Sequence, residues 1–313
     1  MRYLSRLLAV VATLAIAACT APPDSGSSFT PSPGAGYPGW PPAAASELIP
    51  VPVSTEIAVG PNRLLVNLLD SGNQSIADPN TKVNLSLYDL AADPSRSAFE
   101  TTTAYLPTIE GRPGLYRAQV DFGRAGDWGL EAIAFEADGS QRTGRMVLSV
   151  REAGSTPAIG ASVPASETPT AQDASGIAAI STDDDPDPDF YTTSIADAMV
   201  AHQSFAVVFA TPAFCRSATC GPTLDLVKSV AADYKGRLTF IHAEPYQLQL
   251  VDGHLQPVLT PDNLPIPVES VNEWGLPTEP YVFVVDGNGQ LVAKFEGIAS
   301  VEELRAAFDE VAQ

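Results

Sequence analysis

The sequence predicts a chain of several domains, with an all-β sandwich in its N-terminal half and an α/β domain in its C-terminal half. Three observations predict this. Residues 47–152 fall into short apolar runs that alternate with polar positions and are separated by turn residues, the period-two signature of half-buried strands. Residues 190–313 instead interleave short, fully apolar runs with segments of helical spacing. Ahead of and between these parts lie stretches crowded with Pro, Gly, Ser and Asp, which bury too little apolar surface to fold and are expected as a tether and a linker. With 313 residues the chain can bury two modest cores.

Charge narrows the function classes. The formal net charge is −20, so nothing here would neutralise nucleic-acid phosphates, and nucleic acid is excluded as a partner. Part of the acidity is local, in Asp183-Asp184-Asp185-Pro186-Asp187-Pro188-Asp189. A calcium loop needs interleaved ligands and a turn glycine, and this run has neither; it is expected as a solvated linker.

Residues 1–18 have the form of an export signal: Arg2 and Arg6, then an apolar run from Leu7 to Ala18, too short to span a bilayer comfortably. The run ends Ile16-Ala17-Ala18-Cys19, which resembles the lipobox of bacterial lipoproteins. That resemblance implies cleavage before Cys19 and a lipid on its sulfur; the alternative is an ordinary secretory signal with an incidental cysteine. The expected location is outside the cytoplasm, on a membrane face, with residues 19–46 as a disordered tether. Strands are expected at 63–69, 82–88, 114–120, 128–135 and 145–150, joined by turns such as Asp70-Ser71-Gly72-Asn73. The runs Gly114-Leu115-Tyr116-Arg117-Ala118-Gln119-Val120 and Gly126-Asp127-Trp128-Gly129-Leu130-Glu131-Ala132 resemble the last strands of immunoglobulin-like modules in bacterial envelope proteins. The half contains no Cys or His, and Trp128 is expected in its core.

After the linker, 153–189, a short helix is expected at 194–202, with Ile195, Ala196, Met199 and Val200 on one side. The strand 205–209 follows, then a loop holding Cys215 and Cys220, and then Gly221-Pro222, which opens a helix over 223–234 with Leu224, Leu226, Val227, Val230 and Ala231 apolar. Proline suits the first turn, where the amide it lacks would be unbonded anyway. A sulfur at such a helix start meets unpaired amides and the positive end of the helix dipole, which favour thiolate over thiol. The two cysteines also close into a disulfide if the loop turns. Next come a strand at 237–243, a Pro-rich excursion at 244–267 that suits a lid or partner surface, and a weakly helical 268–274. A strand at 281–286, the turn Gly287-Asn288-Gly289 and a strand at 290–295 make a hairpin. Ser300-Val301-Glu302-Glu303 is a capping box for a last helix with Leu304, Ala307, Phe308 and Val311 on one face.

This order, with Phe209-Ala210-Thr211 ahead of the cysteines, a proline before the hairpin strand, and Asp286-Gly287-Asn288-Gly289 closing the hairpin, resembles the thioredoxin-like superfamily over 190–313. The expected class is therefore multidomain, an immunoglobulin-like sandwich plus an α/β thioredoxin-like domain. The resemblance implies thiol–disulfide exchange at Cys215 and Cys220, with Pro280 at the family's cis-proline position and Pro277 as the competing candidate. Partners would be the thiols or disulfides of exported proteins, or an envelope redox protein, with no cofactor. The spacing departs from the family's Cys-x2-Cys, and two alignments stay open: Cys215 as the leading cysteine, or Cys220-Gly221-Pro222 laid over the family's Cys-Gly-Pro. The mechanism implied is thiolate attack, a mixed disulfide, and resolution by the second cysteine. Oxidising conditions outside the cytoplasm favour a resting Cys215–Cys220 disulfide. The rival is a binding or scaffolding lipoprotein in which this bond only staples a loop. Copper-delivery relatives use Cys-x3-Cys and a distant histidine; His202, His242 and His254 are available, but the spacing differs. No Pro-x-x-x-Thr-x-x-Cys peroxidase arrangement is present.

Overall fold

The computed structural model describes residues 37–40, 48–136 and 138–312. The export signal, Cys19 and most of the tether lie outside the described residues. Among the described residues of the N-terminal half lie eight strands: β1 (Ile49–Pro52), β2 (Gly60–Leu69), β3 (Lys82–Asp89), β4 (Phe99–Thr102), β5 (Ala104–Leu106), β6 (Leu115–Phe122), β7 (Gly126–Phe135) and β8 (Gln141–Val150). They form two four-stranded antiparallel sheets, ordered β1-β2-β6-β5 and β4-β3-β7-β8. Alternation decides which face is which: Val83, Leu85 and Leu87 are buried while Lys82 and Asn84 face water. Leu64, Val66 and Leu68 of β2 meet them in one core. Trp128 belongs to that core, edge-on to Phe122 at 5.1 Å, with its indole N–H donating to the Arg124 carbonyl at 3.1 Å.

The end of the tether is anchored here. Trp40 is buried, its ring 4.1 Å from that of Tyr88 and 4.5 Å from the Arg145 guanidinium. Gly129 makes the room, because a Cβ at that position would stand 2.6 Å from Trp40 Cε2.

The C-terminal half holds α1 (Ile195–Val200), β9 (Phe205–Phe209), α2 (Cys220–Ala231), β10 (Thr239–Ala243), β11 (Leu248–Val251), β12 (His254–Pro257), α3 (Glu269–Glu273), β13 (Tyr281–Val285), β14 (Leu291–Glu296) and α4 (Val301–Val311). One sheet is ordered β10-β9-β13-β14, with β9 and β10 parallel and the other pairs antiparallel. All five residues of β9 are buried, as expected of a strand covered on both faces. Ala206 and Val208 point into a core with Leu224 and Val227 of α2 and Leu304 and Phe308 of α4. Phe205, Val207 and Phe209 point the other way, toward Ile195, Ala198 and Trp274.

The expected class, an immunoglobulin-like sandwich plus an α/β thioredoxin-like domain, is corrected by this content. Strand makes up 36% in four sheets and helix 16%, so the chain is mostly β, and the α/β assignment of the C-terminal half does not stand. The physical reason lies in how little of the helical spacing becomes helix. α1 runs six residues and α3 five. The long excursion after β10 pairs as the antiparallel hairpin β11–β12.

Residues 153–189, the stretch between the two halves, run as a strap laid along the protein. Thr156, Ser166, Thr168, Thr170 and Ser181 are buried, and Ile177 and Ile180 pack on the core beneath α2 and α4. Short hydroxyl side chains allow this because each finds a partner: Ser166 Oγ donates to Glu273 and accepts from the Trp274 indole N–H. The sandwich is fastened to β14 and α4. Glu303 Oε1 accepts from Arg63 Nε at 2.6 Å and pairs with Arg117 at 2.8 Å. Glu296 accepts from the Thr55 amide and hydroxyl, and Leu65, Leu106 and Ile298 close an apolar seam between them. Residues 36–313 accordingly form one compact unit. No helix among the described residues is long and apolar enough to cross a membrane.

Candidate functional site: the cysteine loop

Strand β9 ends at Phe209, and the chain turns through Thr211–Phe214, where the Phe214 amide donates to the Thr211 carbonyl at 3.2 Å. Helix α2 then begins at Cys220, three residues earlier than its apolar spacing predicts, with Gly221 and Pro222 inside its first turn. This start places Cys220 at the first helical position, where its amide has no partner within the helix. That amide donates instead to Cys215 Sγ at 3.2 Å, and Ser217 Oγ lies 3.2 Å from the same sulfur. Cys215 and Cys220 are joined as a disulfide with their Cα atoms 5.9 Å apart. The two sulfurs differ in access: Cys220 is fully buried in the core under α2, while Cys215 is half-buried at the edge of the loop.

Pro280 is buried at the start of β13, and the Glu279–Pro280 peptide is the one cis bond among the described residues; Pro277 is exposed. Glu279, directly before Pro280, reaches the cysteines: one of its carboxylate oxygens and both sulfurs lie within 4.8 Å of one another. Tyr246 Oη donates to Glu279 Oε2 at 2.9 Å. Burial pushes the Glu279 carboxyl above the usual carboxylate range, while the Tyr246 hydrogen bond and the Arg216 charge pull it partly back. Burial and the Glu279 charge in turn push the Tyr246 phenol up to about 12.

A second polar group lies beneath the loop. Thr182 Oγ1 accepts from the Ala213 amide at 3.2 Å and donates to Glu244 Oε1 at 2.6 Å, and the Thr182 amide donates to the same oxygen at 2.7 Å. Burial raises the Glu244 carboxyl, with the Thr182 bonds opposing. His242 next to it is fully enclosed, its Nε2 2.9 Å from the Ala210 carbonyl and its Nδ1 2.8 Å from Tyr191 Oη. The carbonyl only accepts, so Nε2 carries the proton and Tyr191 donates to Nδ1. Desolvation lowers His242 to about 4, so at neutral pH it is an uncharged brace between β10 and the start of the loop.

The structure thus brings Cys215, Cys220 and the Glu279–Pro280 step into one place. It brings no histidine there: both ring nitrogens of His242 are engaged, His202 lies against the Gly287 carbonyl, and His254 is exposed on the β11–β12 hairpin. Among the described residues, the ligand-type groups clustered around the sulfurs are the two cysteines and Glu279. Sequence reasoning missed Glu279, Tyr246, Thr182 and Glu244. A signal existed for Glu279, as the residue preceding the proline already singled out. Tyr246 sits in the excursion expected as a lid, with nothing in its surroundings to pair it with residue 279.

No protein-family model matches this sequence, and no curated protein matches it either.

Proposed function

We propose that the protein exchanges disulfides with the thiols of exported proteins through Cys215 and Cys220, held at a membrane face by a lipid on Cys19. The reading rests on the site and not on a fold class. The observation that carries it is the unequal pair of sulfurs. Cys215 is open to a partner, and its sulfur accepts a helix-start amide, which favours the thiolate; Cys220 is sealed directly behind it. That asymmetry supports Cys215 as the attacking and attacked sulfur and Cys220 as the resolving one.

In the reducing direction the Cys215 thiolate attacks a partner disulfide, one partner sulfur leaves as thiolate, and the Cys220 sulfur then displaces the other from Cys215. The oxidised pair is regained, and the partner carries the two electrons away as two thiols. The rival reading is that the disulfide only staples β9 to α2 in a binding or scaffolding lipoprotein. Copper delivery loses its support with no histidine beside the sulfurs.

Titration of the purified protein against glutathione buffers, read by alkylation and mass, separates the two readings. A midpoint above about −250 mV, with Cys215 alkylating first, supports exchange, whereas one below about −300 mV makes the bond a staple. Cys220→Ser completes the test: it is expected to hold partner proteins as mixed disulfides at Cys215 that Cys215→Ser does not form.

A further inference from the structure

The resolving step needs the Cys220 sulfur as a thiolate, yet Cys220 is fully buried and its own amide hydrogen bond goes to the other sulfur. Desolvation disfavours a buried thiolate, so the proton on Cys220 must have somewhere to go. The groups facing the sulfurs are few. Ser217 from the loop and Glu279 from the step before Pro280 stand at the sulfurs, and Arg216 and Tyr246 act on Glu279. The Ser217 hydroxyl is a poor base, the Arg216 guanidinium offers donors and no acceptor, and the Tyr246 proton is engaged on Glu279. Glu244 is bonded through Thr182 to the Ala213 backbone, not to a sulfur.

We infer that Glu279 takes the proton from the Cys220 thiol during resolution, with Tyr246 holding its carboxylate toward the two sulfurs. This rests on the exchange reading above. The S–H proton moves to Glu279, the Cys220 sulfur bonds to Cys215 Sγ, and the bond between Cys215 and the partner sulfur breaks. The partner leaves as a thiolate and is reduced, the protein pair is oxidised, and Glu279 returns its proton to solvent. A carboxyl held above the usual carboxylate range is better matched to a thiol than an ordinary glutamate.

The test uses reduced protein mixed with one equivalent of Ellman's disulfide in a stopped flow. The first release of coloured thiolate reports attack by Cys215, and the second reports resolution by Cys220. Glu279→Gln is expected to slow the second release about 100-fold near neutral pH. The deficit should fade at alkaline pH, once the buried thiol ionises without help. Tyr246→Phe keeps the base and removes a hydrogen bond that lowers its affinity for protons, so it should shift the pH midpoint of the second release upward without abolishing it. An unchanged second release in Glu279→Gln overturns the inference. So does a faster one, because a carboxylate acting only as a fixed negative charge would hinder thiolate formation. A wild-type protein that gives no second release overturns the exchange reading as well, which separates the two failures.

Discussion

The contact between the sandwich and the C-terminal half turns on Glu56. Its carboxylate accepts from the Ser155 amide and hydroxyl, from the Thr156 amide and hydroxyl, and from Lys294 Nζ at 2.7 Å. Burial alone would raise this group; the Lys294 and Thr156 bonds overcome that and lower it from 4.5 to about 2. Glu56→Gln keeps the size and removes the charge. The full shift, from 4.5 to about 2, corresponds to a ceiling of about 3 kcal/mol. Lys294 is 27% exposed and keeps its bond to Thr156, so screening reduces the expected loss to about 2 kcal/mol. At a urea slope of about 3 kcal/mol/M this is a fall of about 0.7 M in midpoint near neutral pH. A carboxyl lowered by folding contributes its full stability above its unfolded value, and that stability is lost as pH falls through the folded one. The gap between wild type and variant should therefore hold above pH 4.5 and close as pH falls through about 2. The assay is urea unfolding across that range, followed by tryptophan emission. Midpoints that coincide near neutral pH, or a gap that persists unchanged in acid, would refute the reasoning.

Two further outcomes follow from buried features. His242 is lowered from 6.5 to about 4, so it contributes stability that is present above about 6.5 and lost as pH falls through about 4; its ring carbon proton in NMR should show no titration at pH 6. Gly275 has φ +63°, and an added Cβ would stand 2.1 Å from the Ser155 carbonyl oxygen, so Gly275→Ala should cost at least about 2 kcal/mol in urea unfolding by displacing the start of the strap.

Much of the local structure was legible. The capping box at Ser300 and Glu303 forms with both of its hydrogen bonds, because its partners are three residues apart. The same Glu303 also binds Arg63 and Arg117, and no local pattern announces a partner 240 residues away. The apolar Ile177-Ala178-Ala179-Ile180 signals that part of the strap can pack on a domain, but composition does not show which of its hydroxyls meet buried acceptors. Helix spacing at 195–200 and 269–273 was real but only a turn or so long, which is why the balance falls to strand.

By itself the sequence determined β2, β3, β6, β7 and β8 of the first half but not the short β1, β4 and β5, and in the second half the fully apolar β9 and β13, the hairpin turning after Asp286, and the cysteine pair at a helix start. These depend on neighbours within a few residues, where side-chain period and backbone preference act directly. Only the tertiary structure decided which sulfur is sealed, that Glu279 and Tyr246 join the cysteines, and that Glu56, Arg63 and Glu303 fasten the halves. Those outcomes depend on desolvation and on charges meeting across long stretches of chain, quantities that exist only once the cores have closed.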